Sequence, residues 1–170
     1  MRTSIQWKAA FLTLMMVAFS GQAMAQTALP TKYDGTINDY VQALGTTWQV
    51  SGEWSVQLRG ASGRGDFSAS LTMFDTANPA AVPHTHHVLL TDGDVSVNEN
   101  WTTPGRFTLS GLGAITGNGN LSFFESPIVV AISGGASITY TNVSLKLGGS
   151  AEGHFGPTPI GGVVGLGRSK

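Results

Sequence analysis

The sequence predicts an all-β domain, built as a single antiparallel up-and-down β-barrel of seven to nine strands with one short N-terminal helix. Residues 48–59 alternate apolar and polar side chains without a break, as a strand with one buried face does. Further alternating segments follow at short intervals, and the 23 glycines suit the tight turns between them. Such a meander closes into a barrel or folds into a β-sandwich, and the sandwich is the alternative fold.

The N-terminus has the pattern of a secretory signal peptide. Arg2 and Lys8 flank the start of an apolar run over residues 9–19, and an Ala-x-Ala cleavage site ends at Ala25. The run is too short to cross a membrane. We therefore expect a secreted or periplasmic protein that does not span a membrane after cleavage. The predicted organisation is a signal peptide over residues 1–25, a lead with a short helix over 26–45, and a barrel over 46–166.

The remaining elements follow from local patterns. A short helix is predicted over residues 37–44, because Thr36 and Asp39 suit its N-cap and Gly45 suits its end. Pro127 interrupts one alternating segment, which indicates an edge strand or a β-bulge. The predicted strands cover residues 48–59, 67–73, 83–91, 94–102, 106–115, 120–133 and 136–147, with 150–155 and 160–164 completing the sheet.

Residues 83–102 are predicted to form a β-hairpin. Asp92-Gly93 is the dipeptide that a two-residue type I′ turn prefers, since both turn positions need a positive φ. This turn would place His86 directly opposite Glu99 on an apolar face, with His87 on the opposite, polar face. The polar and aromatic side chains expected on the inner face of the hairpin are His84, His86, Glu99 and Trp101.

Composition limits the classes of partner. Without the two basic residues of the predicted signal peptide, the chain has seven basic and ten acidic residues. Such a charge, with no basic patch, excludes nucleic acid as an expected partner. The chain has no cysteine, so an exported form must be stable without disulfides.

Two segments resemble a known group of barrels. Residues 52–54 (Gly-Glu-Trp), after the predicted helix, resemble the G-x-W start of calycin-type barrels, the lipocalins and avidins. Residues 64–67 (Arg-Gly-Asp-Phe) are similar in layout to an avidin second strand. The resemblance covers about forty residues. It implies an up-and-down barrel with a ligand cavity, and it carries over no ligand and no binding residues.

The histidines are the best candidates for chemistry. Two imidazoles and a carboxylate on neighbouring strands are a common set of metal ligands, so a divalent metal is the cofactor they would hold. His84-x-His86 also resembles the metal motif of cupins, but the glutamate expected shortly after the second histidine is missing. Glu99 would then serve from the facing strand. The ligand or metal candidates are His84, His86, Glu99, Trp101 and His154, and the pocket-lining candidates are Trp54 and Tyr140.

Three functions follow from these features. The first is a non-catalytic barrel that binds a small, partly apolar ligand between inward aromatic side chains, with Gly111 and Gly113 leaving room inside. The second is a metal-dependent or acid–base enzyme centred on the histidines. The third is a structural or surface protein that uses the barrel as a scaffold.

Overall fold

The protein is a closed barrel of eight antiparallel strands in up-and-down order, which confirms the predicted fold class and excludes the sandwich. The computed structural model describes residues 32–59, 62–97, 107–117, 121–134 and 141–165. The predicted signal peptide lies outside these residues. The strands are β1 Lys32–Ala43, β2 Thr46–Leu58, β3 Arg64–Asp75, β4 His84–Val97, β5 Phe107–Gly117, β6 Phe123–Gly134, β7 Thr141–Leu147 and β8 Ile160–Gly165.

Pairing between the first and last strands closes the barrel. Asp34 pairs with Gly165 and Ile37 with Gly162, so β1 has a partner on each side. Alternate side chains along the strands point inward and form one hydrophobic core. Among the described residues, no helix has the length and hydropathy that a membrane-crossing helix needs.

The helix predicted over residues 37–44 is wrong, because this segment is part of strand β1. Apolar side chains four residues apart, such as Ile37 and Val41, fit a helix face and also fit the inner face of a strand. Leu44 and Gly45 both have positive φ, 54° and 78°, and form the turn between β1 and β2. The barrel therefore includes residues 32–43, which precede the predicted start at residue 46.

The predicted hairpin at Asp92-Gly93 is also wrong, because β4 runs through this dipeptide as one strand. Asp92 has a positive φ, 57°, but Gly93 does not, and Asp92 lies where the register of β4 against β5 shifts. The left-handed residue thus forms a β-bulge instead of a turn. Leu90 pairs with Phe67 on β3, and Val95 pairs with Leu109 on β5.

Ion pairs hold this irregular part of β4 against the neighbouring strands. Arg59 contacts Asp66 at 2.5 Å and Asp92 at 3.1 Å through its guanidinium. The backbone N–H of Asp92 donates to the Asp66 carboxylate at 2.8 Å. Arg64 also donates to the carbonyl oxygen of Asp92 at 3.1 Å, so both backbone groups of the bulged residue have partners.

A helical segment lies between β7 and β8. A 3₁₀ turn, Gly149–Ala151, leads into a four-residue helix, α1, Glu152–Phe155. The residues predicted as a strand at 150–155 are therefore helical, whereas the predicted strand at 160–164 is confirmed as β8. Ala151 and Phe155 are buried against the barrel, so this segment covers part of one barrel end.

The close approach of β3 to β2 makes Gly52 sensitive to substitution. A Cβ at Gly52 would lie inside van der Waals contact with the carbonyl oxygen of Ser70, a backbone atom that cannot turn aside. We expect Gly52→Ala to lower the free energy of unfolding by about 3 kcal/mol or more. The matched control is Gly153→Ala, which meets nothing within 4 Å and should leave stability nearly unchanged. Urea denaturation of both variants measures the difference, and equal midpoints would contradict the prediction.

Candidate metal centre

Three histidines meet at the barrel end that α1 covers. His84 and His86 come from the start of β4, and His154 comes from α1. Their ligand nitrogens all lie within 4.8 Å of one another. We call His84, His86 and His154 the three-histidine cluster.

Strand alternation places the two histidines of β4 correctly. His84 and His86 are two residues apart and share the inner face, as predicted, while His87 is exposed on the outer face. His86 pairs with Leu71 of β3 and with Gly117 of β5. A Cβ at Gly117 would collide with Nδ1 of His86, so glycine at this position makes the room that the imidazole occupies.

The third histidine is placed by a close contact between α1 and β1. Gly156, which ends the helix, has φ 83°, and a Cβ there would collide with the carbonyl oxygen of Gln42. Glycine therefore lets the helix end lie directly on β1. This contact, with the burial of Phe155, directs His154 towards β4.

The distances within the cluster are short. Nε2 of His154 lies 2.9 Å from Nε2 of His86 and 3.2 Å from Nε2 of His84. His86 is fully buried and His154 is 8% exposed, whereas His84 is only partly buried. The cluster therefore has one side that is closer to solvent, at His84.

Aromatic side chains surround the imidazoles. Trp48 packs edge-on against His84 with ring centroids 5.3 Å apart. The ring centroid of Phe155 lies 5.0 Å from the ring centroids of both His86 and His154, and that of Phe123 lies 5.8 Å from that of His154. No Asp or Glu among the described residues belongs to the cluster. The surroundings are thus apolar and carry no compensating negative charge.

Burial keeps the imidazoles neutral. Desolvation, with smaller contributions from the other two histidines, lowers the pKa of His86 to about 4. Desolvation also lowers the pKa of His84 and of His154, each from 6.5. Nδ1 of His86 has no well-formed hydrogen bond. The nearby backbone of Thr116 raises the pKa of His86 a little, against the larger effect of burial. Neutral imidazole is the form that binds metals.

The predicted partnership of His86 and Glu99 is wrong, since Leu71 and Gly117 occupy the positions beside His86. Glu99, Trp101 and Tyr140 lie outside the described residues. His154 joins the two strand histidines as predicted. The sequence analysis did not predict the roles of Gly117 and Gly156, because the close contacts that require glycine join distant parts of the chain.

The predicted pocket residue Trp54 is 3% exposed and belongs to the core, where it stacks on Phe67. The expected space at Gly111 and Gly113 is filled, because added Cβ atoms would collide with Leu90 and Ile128 side chains. An interior site for an apolar ligand stays a prediction, and these contacts remove one of its grounds.

Comparison with protein-family models, with curated proteins and with solved structures gave no match for this chain. The resemblance to calycin-type barrels stays a prediction. The fold and the three-histidine cluster are therefore the features from which a function is inferred.

The metal-free protein should lose stability in acid because His86 resists protonation only when folded. In the unfolded chain His86 takes up a proton near pH 6.5, whereas in the fold its pKa is about 4. Its stabilising contribution is therefore complete above pH 6.5 and is lost as the pH falls towards 4. At about 1.4 kcal/mol per pKa unit, we expect a loss of about 2 kcal/mol between about pH 7 and pH 5 from this residue.

Urea denaturation with a chelator present measures this loss. His86→Gln should show a shallower decline with falling pH than the wild type. His87→Gln is the matched control on the outer face and should follow the wild type. Parallel curves for all three proteins would contradict the assignment of the acid sensitivity to His86.

Proposed function

We propose that the protein is an exported β-barrel that binds one divalent transition-metal ion through His84, His86 and His154. The predicted signal peptide supports export. The observation that carries the metal proposal is the convergence of three Nε2 atoms, with the Nε2 of His154 within 3.2 Å of the other two.

Hydrogen bonding alone satisfies this arrangement poorly. A ring nitrogen of neutral imidazole carries either one hydrogen or one lone pair. Nε2 of His154 therefore cannot form two good hydrogen bonds to two other ring nitrogens at once. A single cation would accept a lone pair from each of the three nitrogens, so all three would have a partner at once.

The spacing of the nitrogens agrees with ligation of a common ion. Two nitrogens at about 2.0–2.1 Å from one metal are about 2.9 Å apart at a right angle and about 3.3 Å apart at the tetrahedral angle. The two separations from Nε2 of His154, 2.9 and 3.2 Å, fall within this interval, and all three ligand nitrogens lie within 4.8 Å of one another.

The donor set indicates which metals suit the site. Imidazole suits zinc, copper, iron and nickel, whereas magnesium and calcium prefer oxygen. The chain has no cysteine, so thiolate ligands are excluded. Zinc has no preferred d-electron geometry and tolerates an all-imidazole set, which makes Zn²⁺ the appropriate first probe.

Zinc binding should be stoichiometric and should depend on the cluster. We expect one Zn²⁺ per chain by isothermal titration calorimetry on tag-free, chelator-treated protein. Loss of a residue that merely supports a ligand costs 10- to 100-fold in affinity, so His154→Ala should weaken binding by more than about 100-fold. His87→Ala removes an exposed histidine of the same strand and should leave the affinity unchanged. Equal effects of the two substitutions would indicate surface adsorption and refute the proposal.

The metal should also stabilise the fold, since the ligands meet only in the folded chain. At a free Zn²⁺ concentration 100 times the dissociation constant, the expected gain is about 2.7 kcal/mol. A thermal melt with and without Zn²⁺ measures it as a rise in Tm. His84→Ala, at the partly exposed ligand, should fold without metal but lose most of that rise. A rise of the same size in His84→Ala would show that zinc acts elsewhere.

A further inference from the structure

We infer that a metal held by the three-histidine cluster keeps one open coordination position, on the side of His84, and binds a small anion there. This inference rests on the proposed metal site and extends it to an exogenous ligand. The chemical class is a small monoanion, such as azide, formate or hydroxide.

The ligand count leaves the position open. The cluster offers three nitrogens, and no other histidine, cysteine or carboxylate among the described residues joins it. Zinc sites that keep three protein ligands complete their coordination with water or with a substrate. The three-histidine cluster is therefore of the kind that takes a further ligand from solution.

Charge favours an anion over a neutral ligand. Three neutral imidazoles bring no negative charge, so a divalent ion would keep its full charge of two in this site. Trp48, Phe123 and Phe155 pack around the cluster and make the surroundings apolar. An uncompensated charge in apolar surroundings is costly, and a bound monoanion cancels half of it.

Burial determines where the anion enters and limits its size. His86 is fully buried and His154 nearly so, which closes the inner side of the cluster. His84 and its neighbour Trp48 are both partly exposed, so solvent reaches the cluster from that side. Because the other two histidines are buried, entry from the His84 side alone favours an ion of a few atoms over a bulky ligand.

Cobalt reports the coordination directly. Co²⁺ binds to ligand sets of this kind and absorbs visible light with a spectrum that depends on its ligands. The experiment titrates sodium azide in large excess into the 1:1 Co²⁺ complex of the wild-type protein. We expect a saturable spectral change with a single dissociation constant, reversed by dialysis and shifted to higher azide concentration by added formate.

The controls distinguish the open coordination position from the metal site itself. Azide added to metal-free protein should change nothing, and His87→Ala should respond as the wild type does. A 1:1 cobalt complex that depends on His154 but whose spectrum azide leaves unchanged would overturn the open position, while the metal site stands. Failure of the protein to bind Co²⁺ or Zn²⁺ at all would overturn both.

Discussion

The backbone pairing between β1 and β8 is the interaction on which the rest of the structure depends. It removes the two free edges that an eight-stranded sheet would otherwise present, and it encloses the core. It also positions the site, because α1 lies in the connection between β7 and β8. Only when β8 lies beside β1 does Gly156 reach the backbone of Gln42 and bring His154 over the start of β4.

The strand content of this fold is predictable from alternation, but the connections are not. Asp92-Gly93 and Leu44-Gly45 both contain a left-handed residue before a glycine, yet the first is a bulge and the second a turn. Both φ angles are positive at Leu44-Gly45, as a two-residue turn requires, whereas at Asp92-Gly93 only Asp92 has a positive φ. Which of them reverses the chain depends on the partners available to the flanking strands, and those partners are distant in sequence.

Only part of the candidate site was predictable from local sequence patterns. Period-two alternation is enough to place His84 and His86 on one face of β4, and the face is the buried one because Val88 and Leu90 follow in phase. Glu99 was placed opposite His86 through the assumed turn, so that pairing failed with the turn. His154 was a ligand candidate without any local pattern that placed it beside the other two. Its helix is too short to leave a periodic signal, and its position comes from contacts with β1.

The separation of the ligands along the chain has a consequence for how the site comes into being. His154 follows His84 by 70 residues and His86 by 68. As the polypeptide emerges from the ribosome, its two earlier histidines appear as an isolated His-x-His pair, with five of the eight strands that complete the sheet still unformed. All three histidines are present only after residue 154 has been synthesised. The proposed metal uptake would thus distinguish a barrel that includes His154 from every fragment that ends before it.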